Sequence, residues 1–475
     1  MSLPHQFFHH AVLTPAEFAA LDATAARIIG METLIARAGW CVAREVRSRY
    51  APSRVLILCG PGNNGRDGQE TAKNLVRAGW DVKMAFYPDT SQSSPEWLAR
   101  AGIVAVPFIA EEAARADLVI DAVFGAGLNR PPDAALISVL RAARRRVAID
   151  VPSGVDGATG DMPDDAPEYD LTVTFVRLKP AHLLAPARFM MGDIVCCDIG
   201  MDDALVASHA GQVFQNTPEL WKIPAMSMTG HKYDRGIVSI IGGAVMPGAT
   251  RLAVDGARRS GAGLVRIAAG LSAPLYHIVA PADVIVDADP LETLLDDARR
   301  KCWICGPGLT KDEVGASFNL LVGAGRQIVA DAGALAWAGS APEMLRGATV
   351  ITPHMGEFAR LFGGKPRDLI KAAGQAAVKT GAVVILKGAS TLIAAPDGRV
   401  AINVHASPKL ATAGAGDTLS GVIATLLASG MAPCEAACAA VWIHGEAGRR
   451  AGPWPPAEEF AQHLGAARES VERRL

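Results

Sequence analysis

Short apolar runs of β-favouring residues alternate with helical segments along almost the whole chain, and this alternation limits the fold more than any other feature. From Arg54 the runs fall at 54–58 (RVLIL), 82–87 (VKMAFY), 118–120 (LVI), 147–149 (VAI) and 171–175 (LTVTF). Runs this continuously apolar are strands buried on both faces, and parallel strands joined by helices are the arrangement that buries them. The class is therefore α/β, with a doubly wound parallel sheet. A second series follows near 237–241, 264–268, 303–305, 327–330, 349–351, 382–386 and 391–394, and Ala-rich helices close the chain. The first fifty residues read as helix: Thr14-Pro-Ala-Glu offers an N-cap, Pro at the first helical position and Glu at the third.

Between the two series the rhythm stops. Residues 203–230 hold few apolar runs, then Pro218, Pro224 and a polar Ser-Met-Thr-Gly stretch, which places a linker at about 212–225. The expected domains are 1–215 and 222–475, two where about 150 residues per domain would suggest three. The chain carries 46 Lys and Arg against 48 Asp and Glu, a net charge of -2. That balance offers no overall basic surface to nucleic acid or to an anionic membrane. Its eight cysteines are scattered, and Cys302-Trp-Ile-Cys305 reads as buried strand rather than a metal or redox pair. Met1 to Thr24 has no Lys or Arg, and the uncharged stretch Thr418 to Cys434 is short and broken by Gly and Pro. A cytoplasmic protein with no membrane and no nucleic-acid partner is expected.

Cys-Gly-Pro-Gly occurs at 59–62 and again at 305–308, each time after an apolar strand. The flanking sequences do not repeat, so these are two separate turns where backbone approaches a ligand. The first opens Gly60-Pro-Gly62-Asn63-Asn64-Gly65-Arg66-Asp67-Gly68, a G-x-G-x-x-G whose glycines admit close approach to an anion at a helix N-terminus. A dinucleotide oxidoreductase also wants an acid after the second strand; Asp89 is the candidate, but it follows a Pro. Further strand ends carry Asp121-Ala-Val-Phe-Gly125-Ala-Gly127, Asp150-Val-Pro-Ser153-Gly154 and Arg177-Leu-Lys179-Pro180. The carboxyl ends of parallel strands form the ligand crevice. Asp121 and Asp150 there either cap their loops or, with the Asn-Asn loop, hold a monovalent cation or move a proton.

GPGNNGRDG, DAVFGAGL and IDVPSG resemble the motifs of the NAD(P)H-hydrate epimerase family, whose fold is a Rossmann-like parallel-sheet sandwich. The resemblance implies that Asn63, Asn64, Gly65, Arg66 and Asp67 hold a damaged dinucleotide. The loop of Gly125, Ala126, Gly127, Leu128, Asn129 and Arg130 would do the same. It further implies that Asn64, Asp121 and Ser153 bind potassium, and that Asp150 contacts the hydrated nicotinamide as an acid/base. Gly65-Arg66-Asp67 departs from the family's Gly-Gly-Asp. A side chain at 66 either obstructs the backbone's approach to substrate or pairs with a phosphate.

In the second half, Ala413-Gly414-Ala415-Gly416-Asp417 opens an uncharged helix. Converging backbone N–H groups and the helix dipole stabilise a phosphoryl group there, and Asp417 can accept a hydroxyl proton. As a bare Gly-Asp pair this is an N-cap; the full AGAGDTLSG run resembles the anion hole of ribokinase-like kinases. Four other segments lie at strand ends: His231-Lys232 to Gly236 with the Gly242-Gly243 and Pro247-Gly-Ala249-Thr250 loops, Gly306-Pro-Gly308-Leu309, Thr352-Pro353-His354-Met-Gly356-Glu357, and Leu386-Lys387-Gly388-Ala389-Ser390-Thr391. Phe358 and Leu361 face inward at helical spacing, and Lys387 can reach a nucleotide phosphate.

The set is similar to the ADP/ATP-dependent NAD(P)H-hydrate dehydratase family, itself ribokinase-like. By that resemblance Ala249, Gly308, His354 and Asp417 contact the hydrate. Lys387, Gly388, Ala389, Ser390, Thr391 and Gly416 contact the adenine nucleotide, and Asp417 deprotonates the C6 hydroxyl. Asp331-Ala-Gly333-Ala-Leu335-Ala336 stands where the family has Asp-Ala-Asp-Ala-Leu-Asn, which leaves Asp331 a contributor without its second acid. His231-Lys232-Tyr233 replaces His-Lys-Gly. The implied function is repair of hydrated NADH and NADPH, by epimerisation in the first domain and nucleotide-dependent dehydration in the second. K+, Mg2+ and ADP or ATP are the implied cofactors, and a homo-oligomer the implied assembly. The alternative is a ribokinase-like small-molecule kinase with a non-catalytic dinucleotide-binding N-terminal domain.

Overall fold

A computed structural model describes residues 9–88, 96–127, 132–225 and 229–472. The chain divides into two compact units, Met1–Val213 and Phe214–Leu475.

The first unit is built on seven parallel strands: β1 (Arg54–Cys59), β2 (Asp81–Phe86), β3 (Val104–Ala105), β4 (Leu118–Ala122), β5 (Arg146–Ile149), β6 (Leu171–Phe175) and β7 (Asp193–Cys197). Their spatial order is β3-β2-β1-β4-β5-β6-β7. The winding reverses between β1 and β4, so the loops leaving these two strands part to opposite faces and open a crevice at their carboxyl ends. Side-chain alternation divides the core into two layers. Val55, Ile57 and Cys59 pack under α1 (Pro15–Ile29), α2 (Met31–Arg49) and α3 (Asn63–Arg77), while Leu56 and Leu58 pack on the other face with Leu136, Val139 and Leu140 of α4 (Ala134–Ala142). The expected cap of α1 is present, with Thr14 Oγ1 accepting the Glu17 N–H at 3.3 Å and Glu17 accepting the Thr14 N–H at 2.7 Å.

The second unit carries a ten-stranded sheet: β8 (Val213–Gln215), β9 (Ile237–Ile241), β10 (Leu264–Ala268), β11 (Val284–Asp287), β12 (Cys302–Cys305), β13 (Gln327–Ala330), β14 (Val350–Ile351), β15 (Val383–Leu386), β16 (Thr391–Ala394) and β17 (Val400–Asn403). The order is β11-β10-β9-β12-β13-β14-β15-β16-β17-β8. Strands β9 to β15 are parallel, and β15, β16 and β17 form an antiparallel extension. Against it lie α5 (Pro247–Arg259), α6 (Gly333–Ala338), α7 (Met355–Phe362), α8 (Ala415–Ala428) and α9 (Pro433–Arg450). Helix α8 is buried from Thr418 through Leu427, as an uncharged helix must be. It touches α5 through glycines: a Cβ on Gly256 would stand 2.1 Å from the Thr418 carbonyl, and one on Gly421 2.2 Å from that of Ala253.

One expectation changes and another holds. The 212–225 stretch is ordered rather than a free linker: β8 lies at the sheet edge, and Leu220, Trp221 and Ile223 are buried, Trp221 donating to Asn216 Oδ1 at 3.1 Å. Isolated apolar residues bury there without forming a periodic run, so no strand signal announces them. The Cys302–Cys305 pair lies in buried β12 as free thiols, and burial pushes both up to about 12. Among the described residues no helix is long and apolar enough to cross a membrane.

Candidate active sites

In the first unit the crevice at the β1–β4 reversal holds a cleft of about 500 Å³. Its polar wall is Asn63, Asn64 and Asp67 from the start of α3, Gly125 to Gly127 after β4, and Asp150 after β5. Phe18, Asp22, Met31 and Leu34 of α1 and α2 close the opposite side.

Asp150 is the best-anchored of these groups. It sits at φ 68, a left-handed conformation that costs a non-glycine residue about 1–3 kcal/mol and persists only where the surroundings impose it. Its carbonyl accepts His182 Nε2–H at 2.8 Å, while His182 Nδ1 accepts the Lys179 N–H at 2.9 Å. The imidazole is therefore neutral; burial holds it down at about 4. The Asp150 carboxylate lies 2.9 Å from Lys179 Nζ and accepts from Thr174 Oγ1 at 3.0 Å and the Ala126 N–H at 2.8 Å. Burial alone would raise its carboxyl, but Lys179 and the Ala126 N–H outweigh burial and hold it at about 2. Lys179 itself is fully buried, with Phe18's ring 3.8 Å from its ammonium.

Asp67 is the opposite case. Burial first, then the charges of Asp150 and Asp22, push its carboxyl well above the carboxylate range. Burial likewise raises Asp22. Among the described residues neither side chain has a hydrogen-bond or ion-pair partner. Two carboxyls raised by burial thus face one that its ammonium holds low.

Behind this wall Asp121 is completely buried and accepts four hydrogen bonds, from Val123 N–H, Ser153 N–H, Ser153 Oγ and Tyr169 Oη. Ser153 Oγ in turn accepts the Phe124 N–H at 2.9 Å. The Asn64 amide nitrogen is buried without a partner. A Cβ on Gly125 would stand 2.9 Å from Asp150 Oδ2 and 3.7 Å from Asn64 Oδ1, so only glycine lets the loop run between them.

In the second unit the loops after β9, β12, β13, β14 and β15 converge with the start of α8. Gly308, at φ 79, packs with its Cα against the Met246 carbonyl, beside Ala249 at the start of α5. Gly306 faces the Asp331 carbonyl, where a Cβ would be 1.8 Å away. Asp331, 2 % exposed, takes Lys387 Nζ at 3.1 Å on one oxygen and Ser420 Oγ at 2.9 Å on the other. A Cβ on Gly416 would stand 3.0 Å from Lys387 Nζ, so the ammonium lies across the mouth of α8. Asp417, one residue on, has no hydrogen-bond or ion-pair partner among the described residues. Burial first and the Asp331 charge second raise it to about 7, against the pull of Lys387.

These two constellations occupy regions that match known families. Residues 31–181 match the family described as YjeF-related protein N-terminus, and residues 238–462 the family described as NAD(P)H-hydrate dehydratase. A bifunctional NAD(P)H-hydrate repair enzyme of Moorella thermoacetica is 32% identical over 490 residues, covering 93% of this chain and 92% of its own. The chain belongs to the bifunctional NAD(P)H-hydrate repair enzymes. The Mycobacterium tuberculosis member of this repair family is 36% identical over 426 residues, covering 86% of this chain and 84% of its own. The solved ADP/ATP-dependent NAD(P)H-hydrate dehydratase of Bacillus subtilis, co-crystallized with ATP/Mg2+, is 27% identical; the likeness covers 53% of this chain and 95% of that one, at a TM-score of 0.44.

The parallel-sheet unit carries the YjeF-related match and the second unit the NAD(P)H-hydrate dehydratase match. Of the residues singled out in the sequence, Asn63, Asn64, Asp67, Gly125, Ala126, Gly127 and Asp150 meet in the cleft. Gly65 does not line it; its Cα packs against the Gly60 carbonyl, 1.9 Å from where a Cβ would be. Arg66 turns away to an ion pair with Glu32 of α2. Leu128, Asn129, Arg130 and Asp89 lie outside the described residues. His354 is the N-cap of α7, its Nδ1 accepting the Gly356 N–H at 3.0 Å, and Phe358 and Leu361 are buried as expected. Lys387 to Thr391 form the turn from β15 to β16, closed by Thr391 Oγ1 donating to the Gly388 carbonyl at 3.2 Å. Sequence reasoning missed Asp22, Thr174, His182 and Ser420. Only Asp22 had a visible signal, sharing a helix face with Phe18 at i−4.

Proposed function

We propose that the first unit interconverts the R and S hydrates of NADH and NADPH, and that the second dehydrates the S hydrate with an adenine nucleotide as phosphoryl donor. The observation that carries this reading is the presence on one chain of both site constellations within a family of repair enzymes.

In the first site the cleft takes the hydrated nicotinamide end of the dinucleotide. Inverting the carbinolamine carbon C6 needs a group that gives and takes a proton. Asp67, with its raised carboxyl, suits that task. Asp150, held ionised by Lys179, contacts the ring and stabilises positive charge developing on its nitrogen. A potassium ion takes oxygen donors, and the side-chain oxygens of Asn64, Ser153 and Asp121 would supply them, whereas the unpartnered Asn64 amide nitrogen is a donor and binds no cation. Because four donors already fill the Asp121 lone pairs, the ion would share that carboxylate with them. Potassium would supply a fixed positive charge near the dinucleotide.

In the second site Asp417 takes the C6 hydroxyl proton while the oxygen attacks the terminal phosphorus of the nucleotide. The N–H groups at the start of α8 and Lys387 hold the transferred group. The C6–O bond of the phosphate ester then breaks, inorganic phosphate leaves, and loss of a C5 proton restores the ring double bond. Ala249, Gly308 and His354 lie along the hydrate side, and Gly388 to Thr391 along the nucleotide side. Among the described residues no three His, Cys, Asp or Glu side chains gather as a metal site. Mg2+ would be held by the nucleotide phosphates and would neutralise phosphoryl charge. A homo-oligomeric assembly completes the reading.

The test is to incubate the chain with mixed R and S hydrates and ADP or ATP, side by side, and follow recovery of reduced-nicotinamide absorbance. Complete nucleotide-dependent recovery with release of inorganic phosphate is expected. No recovery, or phosphate retained on an organic product, overturns the dehydratase reading. Recovery that stops at the S fraction overturns the epimerase reading and points to Arg66.

A further inference from the structure

We infer that Asp331 is a positioning residue of the dehydratase half: it holds Lys387 across the mouth of α8 and away from Asp417, leaving Asp417 free to act as a base. This rests on the dehydratase reading above and adds to it a residue whose surroundings differ from the family's motif.

The geometry is that of a clamp. One Asp331 oxygen receives Lys387 Nζ at 3.1 Å and the Ala332 N–H at 2.8 Å. The other receives Ser420 Oγ at 2.9 Å, and that hydroxyl also lies 3.2 Å from the Gly416 carbonyl. A single buried carboxylate therefore ties the residue after β15 to the second turn of α8. The backbone is bent to make this possible. Ala332 sits at φ 45 and ψ -106, strained for a residue with a side chain. Gly306 lets the Asp331 carbonyl approach to where a Cβ would be 1.8 Å away. Gly416 has the same part on the other side, with Lys387 Nζ 3.0 Å and Asp331 Oδ2 3.6 Å from where its Cβ would be.

The charged and titratable groups around Asp417 are few. Asp331 comes from the loop after β13, Lys387 from just after β15, and Glu357 from α7. His444 of α9, which bonds the Ala415 carbonyl at 3.0 Å, is kept neutral by burial. Lys387 is the one cation acting on Asp417 in this set. An ammonium on a flexible stem pairs with whichever carboxylate is placed for it. Buried Asp331 takes that role, so Asp417 keeps a basic carboxylate while Lys387 stays over the helix mouth.

The two partners should then move the base in opposite directions. In Asp331→Asn the negative charge is lost and Lys387 is released toward Asp417, so the acidic limb of kcat/KM for dehydration moves below its position near pH 7. We expect a downward shift of about 1 pH unit, a fall in kcat of about tenfold and a raised KM for the nucleotide. In Lys387→Met the limb moves upward. The double variant loses no more kcat than Lys387→Met alone, because Asp331 acts through Lys387. All are measured in the full chain, with epimerisation and thermal melting followed in the same samples. Limbs that stay at the wild-type pH, or shift in the same direction, overturn the inference, as do additive losses in the double variant. If Asp331→Asn fails to fold, the upward limb in Lys387→Met decides alone. A wild-type chain with no nucleotide-dependent dehydration would instead overturn the functional reading beneath it.

Discussion

Asp150 and Asp417 each follow a strand-end or glycine-rich turn, yet their surroundings give them opposite acidities. Asp150, despite burial, is held at about 2 by an ammonium 2.9 Å away; Asp417 is raised to about 7 first by burial and then by the like charge of Asp331. Removing Lys179 should therefore harm more than a contact. Lys179→Met leaves a buried, unpaired carboxylate, which typically destabilises by about 3–5 kcal/mol. We expect a lower unfolding midpoint in urea and loss of epimerisation, with dehydration retained. Asp417→Asn should abolish dehydration and leave epimerisation intact. The same variant carries a stability signature. A carboxyl raised in the folded state contributes stability that is fully present below its unfolded pKa and is lost as pH rises through about 7. The wild type should thus lose melting temperature between about pH 4 and about pH 7 relative to Asp417→Asn, at up to about 1.4 kcal/mol per pH unit, with no further loss above that range. Equal pH dependence in the two proteins would contradict the raised carboxyl. At this scale the sequence showed which residue types sit at the strand ends, but not their acidities. Those depend on Lys179 and Asp331, which lie 29 positions after Asp150 and 86 before Asp417.

At the scale of elements, the buried central strands are the ones whose apolar runs stand out. Those at 54–58, 118–120, 147–149 and 171–175 are β1, β4, β5 and β6. The strands without such a signal are β3, β7, β8 and β11, all at sheet edges, and β17 beside one. An edge strand is half exposed and short, so it needs no continuous apolar run, and its pairing is decided by the neighbour it meets. The helices divide in the same way. Thr14 and Glu17 cap α1 through local geometry, and the residues suffice to read it; Thr14→Ala should cost about 1 kcal/mol in thermal melting. The α5–α8 contact is tertiary. A methyl group on Gly421 would stand 2.2 Å from the Ala253 carbonyl, which cannot yield without moving a helix. Gly421→Ala should lower the melting temperature and reduce dehydration at least tenfold by shifting Asp417, while epimerisation continues. Normal dehydration in that variant would show that α8 tolerates displacement.

For the whole molecule, 475 residues form two units with separate candidate sites. Mixing Asp417→Asn with a chain inactivated in its first site by Asp67→Asn should therefore restore conversion of both hydrates; failure to complement would show that the two sites must share a chain. The α/β class, the two series of strands and most of the strand-end loops can be read from the residues, because periodicity, glycine turns and caps are local. The stretch between the series reads as a linker from its lack of apolar runs, and the burial of Leu220 and Trp221 within it is not legible there. Which loop residues face a cleft follows from the packing of the folded chain alone. Gly65 packs against Gly60 and Arg66 pairs with Glu32, although both stand in the same motif as Asn64 and Asp67. That packing alone joins Lys179 to Asp150 and Asp331 to Lys387. The physical reason is that a buried charge takes its properties from whatever it is packed against, and in a wound sheet those neighbours come from distant strands.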